Sequence, residues 1–378
     1  MSDEIPFHIQ EQIIKSFPVM SLLQFRTVSK AWKSLIDSSD FIAAHSVTQP
    51  QHLLLRYEDP VETVEKYVSF LDDDTFPHQR FVHTLPESFK LLKQSTIVGS
   101  SLGVLCLHGY YGEGKGLLPN FEKEMVVLWN PSIRKSITVP MPNTLYLDPR
   151  NDIGFGVSPV TSDPTIVEIT QFHKTSYHCE AKVYTVSSGK WRNLSSNLPS
   201  KPFRIFSPQV VVDRFIYWCA FDPMTRDDML TYHNLIMSFD MTNDNFGVID
   251  LPDSLRCLSP TQLCISKLRE SLVMLDYDRF LKHSCDVWMM ENGVEKSFKK
   301  KFTIEPPYWS RKITPLGFRK SGQPIMEVEN DHEFFQQSEL VAYEPYPKRF
   351  DYLEIYGITE TFSVHSYMET LVLIAQFA

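Results

Sequence analysis

The sequence predicts an α+β multidomain chain, in which a small N-terminal unit of three to four helices precedes an all-β, β-propeller-like body of about six blades. Two observations predict this fold class. Apolar residues recur at helical spacing over the first 45 residues, whereas from about Leu53 they form short runs separated by Gly, Pro, Asn, Asp and Ser. In that second part an aromatic residue returns about every 50 residues, a period typical of propeller blades. We therefore place the domains at residues 1–45 and 46–378.

The first segment has the pattern of an amphipathic helix followed by shorter helices. Ile9 and Ile13 lie one helical turn apart, which predicts a helix from about Pro6 to Ser16, and Pro18 ends it. Serine side chains accept backbone N–H bonds at helix starts. Three serines are expected to cap the next three helical segments: Ser21, Ser29 and Ser39.

This N-terminal unit carries more large apolar side chains than its size can bury. About forty residues form too small a core to cover them all. The remaining apolar side chains would be buried only when a second protein binds. We therefore expect an exposed apolar face that docks a partner.

The body repeats one pattern five times. An apolar strand is followed by a strand that contains the recurrent aromatic, and then by a turn and a further strand. The aromatics lie 55, 55, 49 and 55 residues apart: Trp129, Tyr184, Phe239, Trp288 and Tyr343. The turns are expected at Pro131-Ser132, Ser188-Gly189, Asn243-Asp244, Asn292-Gly293 and Pro345-Tyr346. Each unit is therefore a small antiparallel sheet of three or four strands.

Two unpaired strands at the ends of the body predict the sixth blade. LLLRY near Tyr57 and TLVLIAQF near Val372 each lack a partner within their own repeat. Pairing them would remove the open sheet edges that invite aggregation. Six blades is the predicted count, with seven as the alternative. A β-sandwich would account for the strands but not for the period.

Composition narrows the classes of function. The 378 residues include 37 basic and 46 acidic side chains, a formal charge of −9, which disfavours nucleic-acid binding. No apolar run reaches the length of a membrane helix, and the acidic N-terminus is unlike a signal peptide. We expect a soluble protein of the cytoplasm, the nucleus or both, without a membrane partner. Six dispersed cysteines favour reduced thiols over disulfides or a zinc site, and no cofactor is expected.

Two local motifs resemble catalytic loops but lack the necessary context. Residues 109–116 fit GxxxxGK, yet Gly116 stands where a phosphate loop needs Ser or Thr. Residues 99–103 fit GxSxG, yet a strand follows rather than a helix. We interpret both as connections between strands.

Four further groups are interpreted as surface features. The basic run 296–301 alternates with Phe298 and Phe302, which favours a strand with one solvated face over a nucleic-acid patch. The acidic run Asp72-Asp73-Asp74 is expected in a solvated loop. Two groups of metal-ligand residue types match no usual metal site: His78 with His83, and His173 with His178 and Cys179.

The N-terminal unit resembles the F-box motif of plant F-box proteins over about 40 residues. Ile5 and Thr27 stand where the family pattern has Leu and Cys. The matching residues are Ile5-Pro6, Ile9, Ile13-Ile14, Phe17-Pro18-Val19, Ser21-Leu22-Leu23, Phe25-Arg26, Val28-Ser29-Lys30, Trp32, Leu35-Ile36, Phe41 and His45.

The body resembles the F-box-associated interaction domain that follows such motifs, which implies a kelch-like propeller. Leu102 stands where the family usually has Asn. The matching strings are GSSLGVLC (99–106), LWNPS (128–132), GFG (154–156), VY (183–184) with WR (191–192), SFD (238–240), DVWM (286–289) and PLGF (315–318).

The resemblance implies a non-catalytic role in a ubiquitin ligase. The head would bind a Skp-type adaptor, and through it cullin and RING subunits, while the body holds an unknown target protein. The residues implied at the adaptor interface are Pro6, Ile9, Ile13, Pro18, Leu22, Leu23, Val28, Trp32, Leu35 and Ile36. Candidate target-binding residues, chosen because propellers bind through their loops, are Tyr110, Tyr111, Lys115, Arg150, Arg226, Tyr308, Trp309 and Arg311.

Two alternatives stay open at this point. A helical unit that serves another partner would make the chain a non-ligase interaction scaffold. A propeller enzyme would need convergent carboxylates or a metal at the central opening, where the sequence alone does not place side chains.

Overall fold

The computed structural model describes residues 5–111, 123–142, 150–172, 178–199, 203–226, 229–277, 284–291, 296–305, 312–329 and 337–373. A helical head, residues 5–48, precedes a body of six four-stranded antiparallel sheets. The predicted order of a small helical unit and an all-β propeller of six blades is confirmed.

Four short helices form the head: α1 (Phe7–Ile14), α2 (Val19–Phe25), α3 (Lys30–Ile36) and α4 (Ser39–Thr48). The expected cap of α3 is confirmed, because the Ser29 side chain accepts the N–H of Trp32 at 3.1 Å. Ser21 is not a cap. Pro18, in extended conformation, directly precedes α2 and places Ser21 inside that helix.

The last helix of the head is longer than expected. α4 spans ten residues and reaches Thr48, where the sequence suggested a final turn. Its cap is Ser38, which accepts the N–H of Phe41 at 3.3 Å, rather than Ser39. Ser38 has the extended backbone that a cap needs, with ψ at 142°. Gln51, the first residue of the body's first strand, follows the helix after two residues.

The described part of the body contains 24 strands in six blades. The closing blade has β1 (Gln51–Glu58), β2 (Glu65–Leu71) and β3 (Arg80–Val82), and α5 (Glu87–Lys90) follows it. The first blade has β4 (Lys93–Ser101), β5 (Val104–Tyr111), β6 (Lys123–Asn130) and β7 (Lys135–Pro140). The second has β8 (Arg150–Val157), β9 (Pro164–Phe172), β10 (His178–Thr185) and β11 (Lys190–Asn193).

The remaining blades have the same plan. The third has β12 (Arg204–Val212), β13 (Phe215–Arg226), β14 (Met229–Asp240) and β15 (Asn245–Asp250), followed by α6 (Asp253–Arg256). The fourth has β16 (Leu263–Leu268), β17 (Ser271–Tyr277), β18 (Cys285–Glu291) and β19 (Ser297–Ile304). The fifth has β20 (Ile313–Phe318), β21 (Pro324–Glu329), β22 (Gln337–Glu344) and β23 (Arg349–Ile358), and β24 (Ser363–Met368) completes the closing blade.

The ring closes between the two ends of the body. The innermost strands β4, β8, β12, β16, β20 and β24 contact one another in that order, and β24 returns to β4. The closing pair is β24 with β1, where Leu55 lies opposite Val364. The expectation that TLVLIAQF supplies this strand is wrong. Residues 370–373 lie beyond β24 and are buried between the head and the body instead.

The hairpin turns confirm the repeat in backbone detail. In four blades the residue five positions after the recurrent aromatic has a positive φ: Arg134 (54°), Gly189 (64°), Asp244 (54°) and Lys348 (65°). A left-handed residue at the end of a short turn matches the twist of the two flanking strands. The expected turn at Asn292-Gly293 lies outside the described residues.

The apolar core lies between neighbouring blades. Trp129, Phe239 and Tyr343 are almost fully buried, whereas Tyr184 and Trp288 are partly exposed. All six cysteines are free thiols, three of them buried. In β19, Phe298 is buried and Lys299 is exposed on the other face, and the ammonium of the exposed Lys300 lies 2.8 Å from Asp286. The expectation of a strand with one solvated face is thus confirmed.

One part of the acidic run departs from expectation. Asp72 is not a solvated side chain, because its carboxylate accepts a hydrogen bond from Nε of Arg319 at 2.9 Å and is 4% exposed. The Arg319 guanidinium lies over the ring of Phe76 at 4.2 Å. This contact joins the fifth blade to the closing blade. Asp73 and Asp74 are exposed, as expected.

Candidate functional site

Part of the apolar surface of the head faces solvent. In α1, Ile9 is 37% and Ile13 is 45% exposed, one turn apart on the same side, while Ile14 points into the core. Val28, between α2 and α3, is 65% exposed. Pro6 and Pro18, which precede α1 and α2, are exposed as well. These five predicted adaptor residues are accessible, and we call them the docking face.

Three exposed apolar residues of the head were missing from the predicted set, and one of them is Val47 in α4, which is 86% exposed. Ile5 is 51% and Met20 is 47% exposed. Ile5 lies four positions before Ile9, so the row of exposed apolar residues along α1 starts before the first helical residue. The four-residue spacing of these two isoleucines was a signal that could have identified Ile5.

Three predicted adaptor residues are only partly accessible. Leu23, Trp32 and Leu35 pack against the buried cluster that the head shares with the body. The Trp32 ring stands edge-on to Phe25 at 5.4 Å, and Phe25 in turn contacts Phe17 at 5.2 Å. These three aromatic rings pack inside the head and stabilise it, and Trp32 remains partly exposed.

Leu22 and Ile36 do not belong to the docking face. Both side chains are 0% exposed and pack into the cluster formed by the head and the first two blades. A residue with no accessible surface cannot contact an adaptor, so the expectation of direct contact is wrong for these two. Both lie in the interior that the head shares with the body, which the sequence of the head by itself did not reveal.

The head occupies one face of the propeller. The turn between β4 and β5 contacts the end of β24 and the residues that follow it, because a Cβ added at Gly103 would lie 2.2 Å from the Met368 carbonyl and 2.7 Å from Thr370. A cleft of about 160 Å³ lies on the same face, between Asp37 and Ile42 of the head and Thr161 and Ser187 of the second blade. We call the opposite side, where β5 ends and β8 begins, the far face.

The described target-binding candidates flank the far face. Tyr111 ends β5 and is 38% exposed, whereas the half-buried Tyr110 has its ring 6.0 Å from that of His108. Arg150 begins β8, is exposed, and lies 3.6 Å from Asp152. Arg226 is the last residue of β13. Lys115, Tyr308, Trp309 and Arg311 lie outside the described residues.

A polar group between the first two blades lies at this end of the strands. Oε1 of Glu124 is 2.9 Å from Nε2 of His108, and Oε2 accepts the amide of Asn151 at 3.0 Å. Glu168 is 0% exposed, and burial raises the pKa of its carboxyl to about 7, although the Lys182 ammonium lies 3.8 Å away. The sequence did not identify these residues as a group, because Glu168 lies within the apolar run TIVEI.

The motif at 99–103 is structural. Leu102 and Gly103 have φ of 43° and 77° and form the tight turn between β4 and β5. Ser101 accepts the N–H of Val157 at 2.9 Å, which joins the first blade to the second. The serine motif therefore lies in a hairpin, as expected, and the loop motif at 112–116 falls outside the described residues.

The described residues contain neither a metal-binding group nor a membrane-spanning helix. Burial lowers the pKa of His83 to about 4, and its Nε2 lies 2.7 Å from the Ser69 hydroxyl. Across the described ranges no group of three or more His, Cys, Asp or Glu side chains is placed to hold a metal ion. No helix in that part of the chain is both long and apolar enough to cross a bilayer.

Comparison with known proteins agrees with this architecture. Residues 67–375 match the F-box associated beta propeller domain, and residues 3–43 match the F-box domain. The putative F-box protein At4g21240 of Arabidopsis thaliana is 24% identical over 82% of this chain and 70% of its own length. The F-box protein At3g07870 of the same plant is 22% identical over 98% of this chain and 92% of its own.

Among solved structures, TolB from Acinetobacter baumannii is similar at 11% identity and a TM-score of 0.45, over 86% of this chain and 69% of TolB. The family model spans most of the body, and the F-box model spans the head. The chain therefore belongs to the family of F-box proteins with an F-box associated beta propeller domain.

Proposed function

We propose that this chain is the substrate-recognition subunit of an SCF-type ubiquitin ligase. The head docks a Skp-type adaptor, which links it to cullin and RING subunits. The body holds a target protein for ubiquitination and proteasomal degradation. The chain itself makes and breaks no covalent bond, and six free thiols suit the reducing cytoplasm or nucleus, where we place it.

The observation that carries the proposal is the docking face. Ile9, Ile13 and Val28 remain exposed, whereas Leu22 and Ile36 are fully buried. Exposed apolar side chains grouped on a small unit mark a site where burial is gained on binding a partner. The match of residues 3–43 to the F-box domain supports an adaptor of the Skp type as that partner.

We place target binding at the far face of the propeller. The head covers part of the other face, near the second blade, and the described target-binding candidates are at strand ends on the far side. This arrangement keeps the adaptor and the target from competing for one surface. Propeller loops at strand ends are the usual carriers of binding function.

A matched pair of valine substitutions tests the adaptor assignment. Val28→Glu places a charge in the apolar contact and is expected to weaken capture of a recombinant Skp adaptor by the full chain at least tenfold. Val61→Glu, at an 86% exposed site in the turn between β1 and β2, is the control and leaves capture unchanged. Equal capture by both variants would contradict the docking face.

The alternative is a scaffold without a ligase function. It predicts a head that binds some other protein and a chain that does not co-purify with cullin. Purification of the tagged full chain with proteasome inhibition, followed by detection of the adaptor and cullin, separates the two functions.

A further inference from the structure

We propose that residues 370–373, which we call the strap, are a latch that fixes the orientation of the head on the propeller, and that Asn130 is its positioning residue. The strap follows β24 and runs between the head and the first two blades. The inference goes beyond the proposed ligase function and does not depend on it.

Asn130 holds the strap through both hydrogens of its amide. Nδ2 donates to the carbonyl of Thr370 at 2.9 Å and to that of Val372 at 2.7 Å. The other end of the amide is also used, because Oδ1 accepts the N–H of Ser132 at 2.9 Å. Asn130 is 0% exposed, so water cannot replace a bond that is lost.

The strap has further polar bonds on both sides. The Thr370 N–H donates to Oγ of Ser132 at 3.1 Å, and that oxygen lies 2.9 Å from the hydroxyl of Tyr367. On the head side, Oγ1 of Thr370 lies 3.3 Å from Oγ of Ser46 in α4. A buried chain of hydrogen bonds thus runs from the first blade through the strap to the head.

Apolar contacts of the strap reinforce this chain. Leu371 and Val372 are almost completely buried in a cluster that contains residues of the head and of the first two blades. Next to the strap, head and second blade are separated by the cleft whose lining includes Val372 and Leu373. The strap therefore fills space that would otherwise lie open between the two units.

Two attachments fix the orientation of the head on the body, whereas one attachment does not. The head is covalently joined to the body by residues 49–50, between α4 and β1. A single short connection would leave the head free to pivot around it. The strap adds a second attachment, so the docking face and the far face are held at one separation. In a ligase that separation determines how well the target is placed for transfer.

The experiment measures the distance between head and body in the full chain. Spin labels on p-acetylphenylalanine at Lys33 in α3 and at Tyr346 in the β22–β23 turn leave the six native thiols untouched, and both sites are exposed. We expect a single narrow distance distribution in the native chain. Asn130→Ala is expected to widen it at least twofold.

A second asparagine supplies the control. Asn234 is also buried, and its Nδ2 donates to the carbonyls of Leu255 at 3.0 Å and Leu258 at 2.8 Å, within the body and away from the strap. Asn234→Ala also removes two buried amide-to-carbonyl hydrogen bonds, as Asn130→Ala does at the strap, and should leave the distribution narrow. An unchanged distribution in folded Asn130→Ala overturns the proposal, and so does equal widening in Asn234→Ala.

A second variant decides the matter if Asn130→Ala does not fold. Leu371→Ala with Val372→Ala shortens two buried side chains of the strap and keeps its backbone hydrogen bonds. The latch predicts a wider distribution for this variant, and a native width overturns it. Neither adaptor nor target is present in the measurement, so its outcome is independent of the proposed ligase function.

Discussion

The side-chain amide of Asn130 donates a hydrogen bond to the main-chain carbonyl of Val372 at 2.7 Å, across 242 positions of sequence. The same side chain accepts the N–H of Ser132 and so supports the turn that ends β6. One residue of the LWNPS string thus both shapes a hairpin and anchors the end of the described chain. The turn function is local, whereas the anchoring function depends on where the ring closes.

The head should separate into residues that stabilise it and residues that dock. Leu22→Ala removes a fully buried side chain, and we expect the free energy of unfolding to fall by about 2–5 kcal/mol. Ile13→Ala, at a site 45% exposed, should cost less than about 1 kcal/mol. Urea denaturation of the full chain measures both. Similar losses for the two variants would show that the division is wrong.

The turn at Gly103 should tolerate no side chain. Its φ is 77°, and an added Cβ would lie 2.2 Å from the Met368 carbonyl and 2.7 Å from Thr370. Gly189 is a matched control, because its φ is 64° but nothing lies within 4 Å of an added Cβ. Gly189→Ala should therefore cost only about 1–2 kcal/mol, the strain of the left-handed backbone.

Gly103→Ala adds a clash with backbone that cannot move without disturbing the closing blade. We expect a clearly lower melting temperature for Gly103→Ala than for Gly189→Ala in thermal unfolding followed by circular dichroism. Equal melting temperatures would mean that the turn is not pressed against the end of β24.

The closing blade should lose stability in acid through His83. Burial lowers the pKa of this imidazole to about 4, below its usual 6.5. Between these two values the unfolded chain binds a proton that the folded chain does not, so stability is complete above pH 6.5 and falls as pH drops toward 4. At pH 5 the loss from this one group is about 2 kcal/mol relative to pH 7.5.

His83→Gln isolates that contribution, because glutamine does not titrate and can still bond Ser69. We expect the loss of stability between pH 7.5 and pH 5, measured by urea denaturation, to be smaller in His83→Gln than in the native chain. A loss of the same size in both would contradict the buried neutral imidazole.

Glu168 should make the protein less stable as pH rises, which is opposite to the effect of His83. Burial raises the pKa of its carboxyl to about 7, above its usual 4.5. As pH rises between these values the unfolded chain releases a proton that the folded chain keeps, so stability is lost toward neutral pH and stays reduced above it. The stability of Glu168→Gln relative to the native chain should therefore be higher at pH 8 than at pH 5, by about 2 kcal/mol. Urea denaturation at the two pH values tests this, and a pH-independent difference would refute it.

The repeat was predictable because the sequence of each repeated blade contains the same pattern. A buried strand, an aromatic and a turn recur at nearly constant spacing, and the positive φ at Arg134, Gly189, Asp244 and Lys348 shows the same turn in four blades. The closing strand was misplaced for a physical reason. An apolar run such as TLVLIAQF indicates burial, and burial in a sheet or under a neighbouring helix gives the same signal.

The docking face was predictable only in part. The spacing of Ile9 and Ile13 shows that α1 has an apolar side, but it does not show which other residues of the head are already buried in the core. Asp72 is a similar case. Three adjacent carboxylates predict exposure to solvent, and the sequence does not show that Arg319 of the fifth blade lies beside one of them.

The sequence by itself determined the helical head and the five repeated blades, because these follow from spacing along the chain. Only the tertiary structure decided that Leu22 and Ile36 are core residues, that Ser363–Met368 closes the ring and that the strap joins head and body. Such features arise from contacts between residues hundreds of positions apart, for which no local pattern exists.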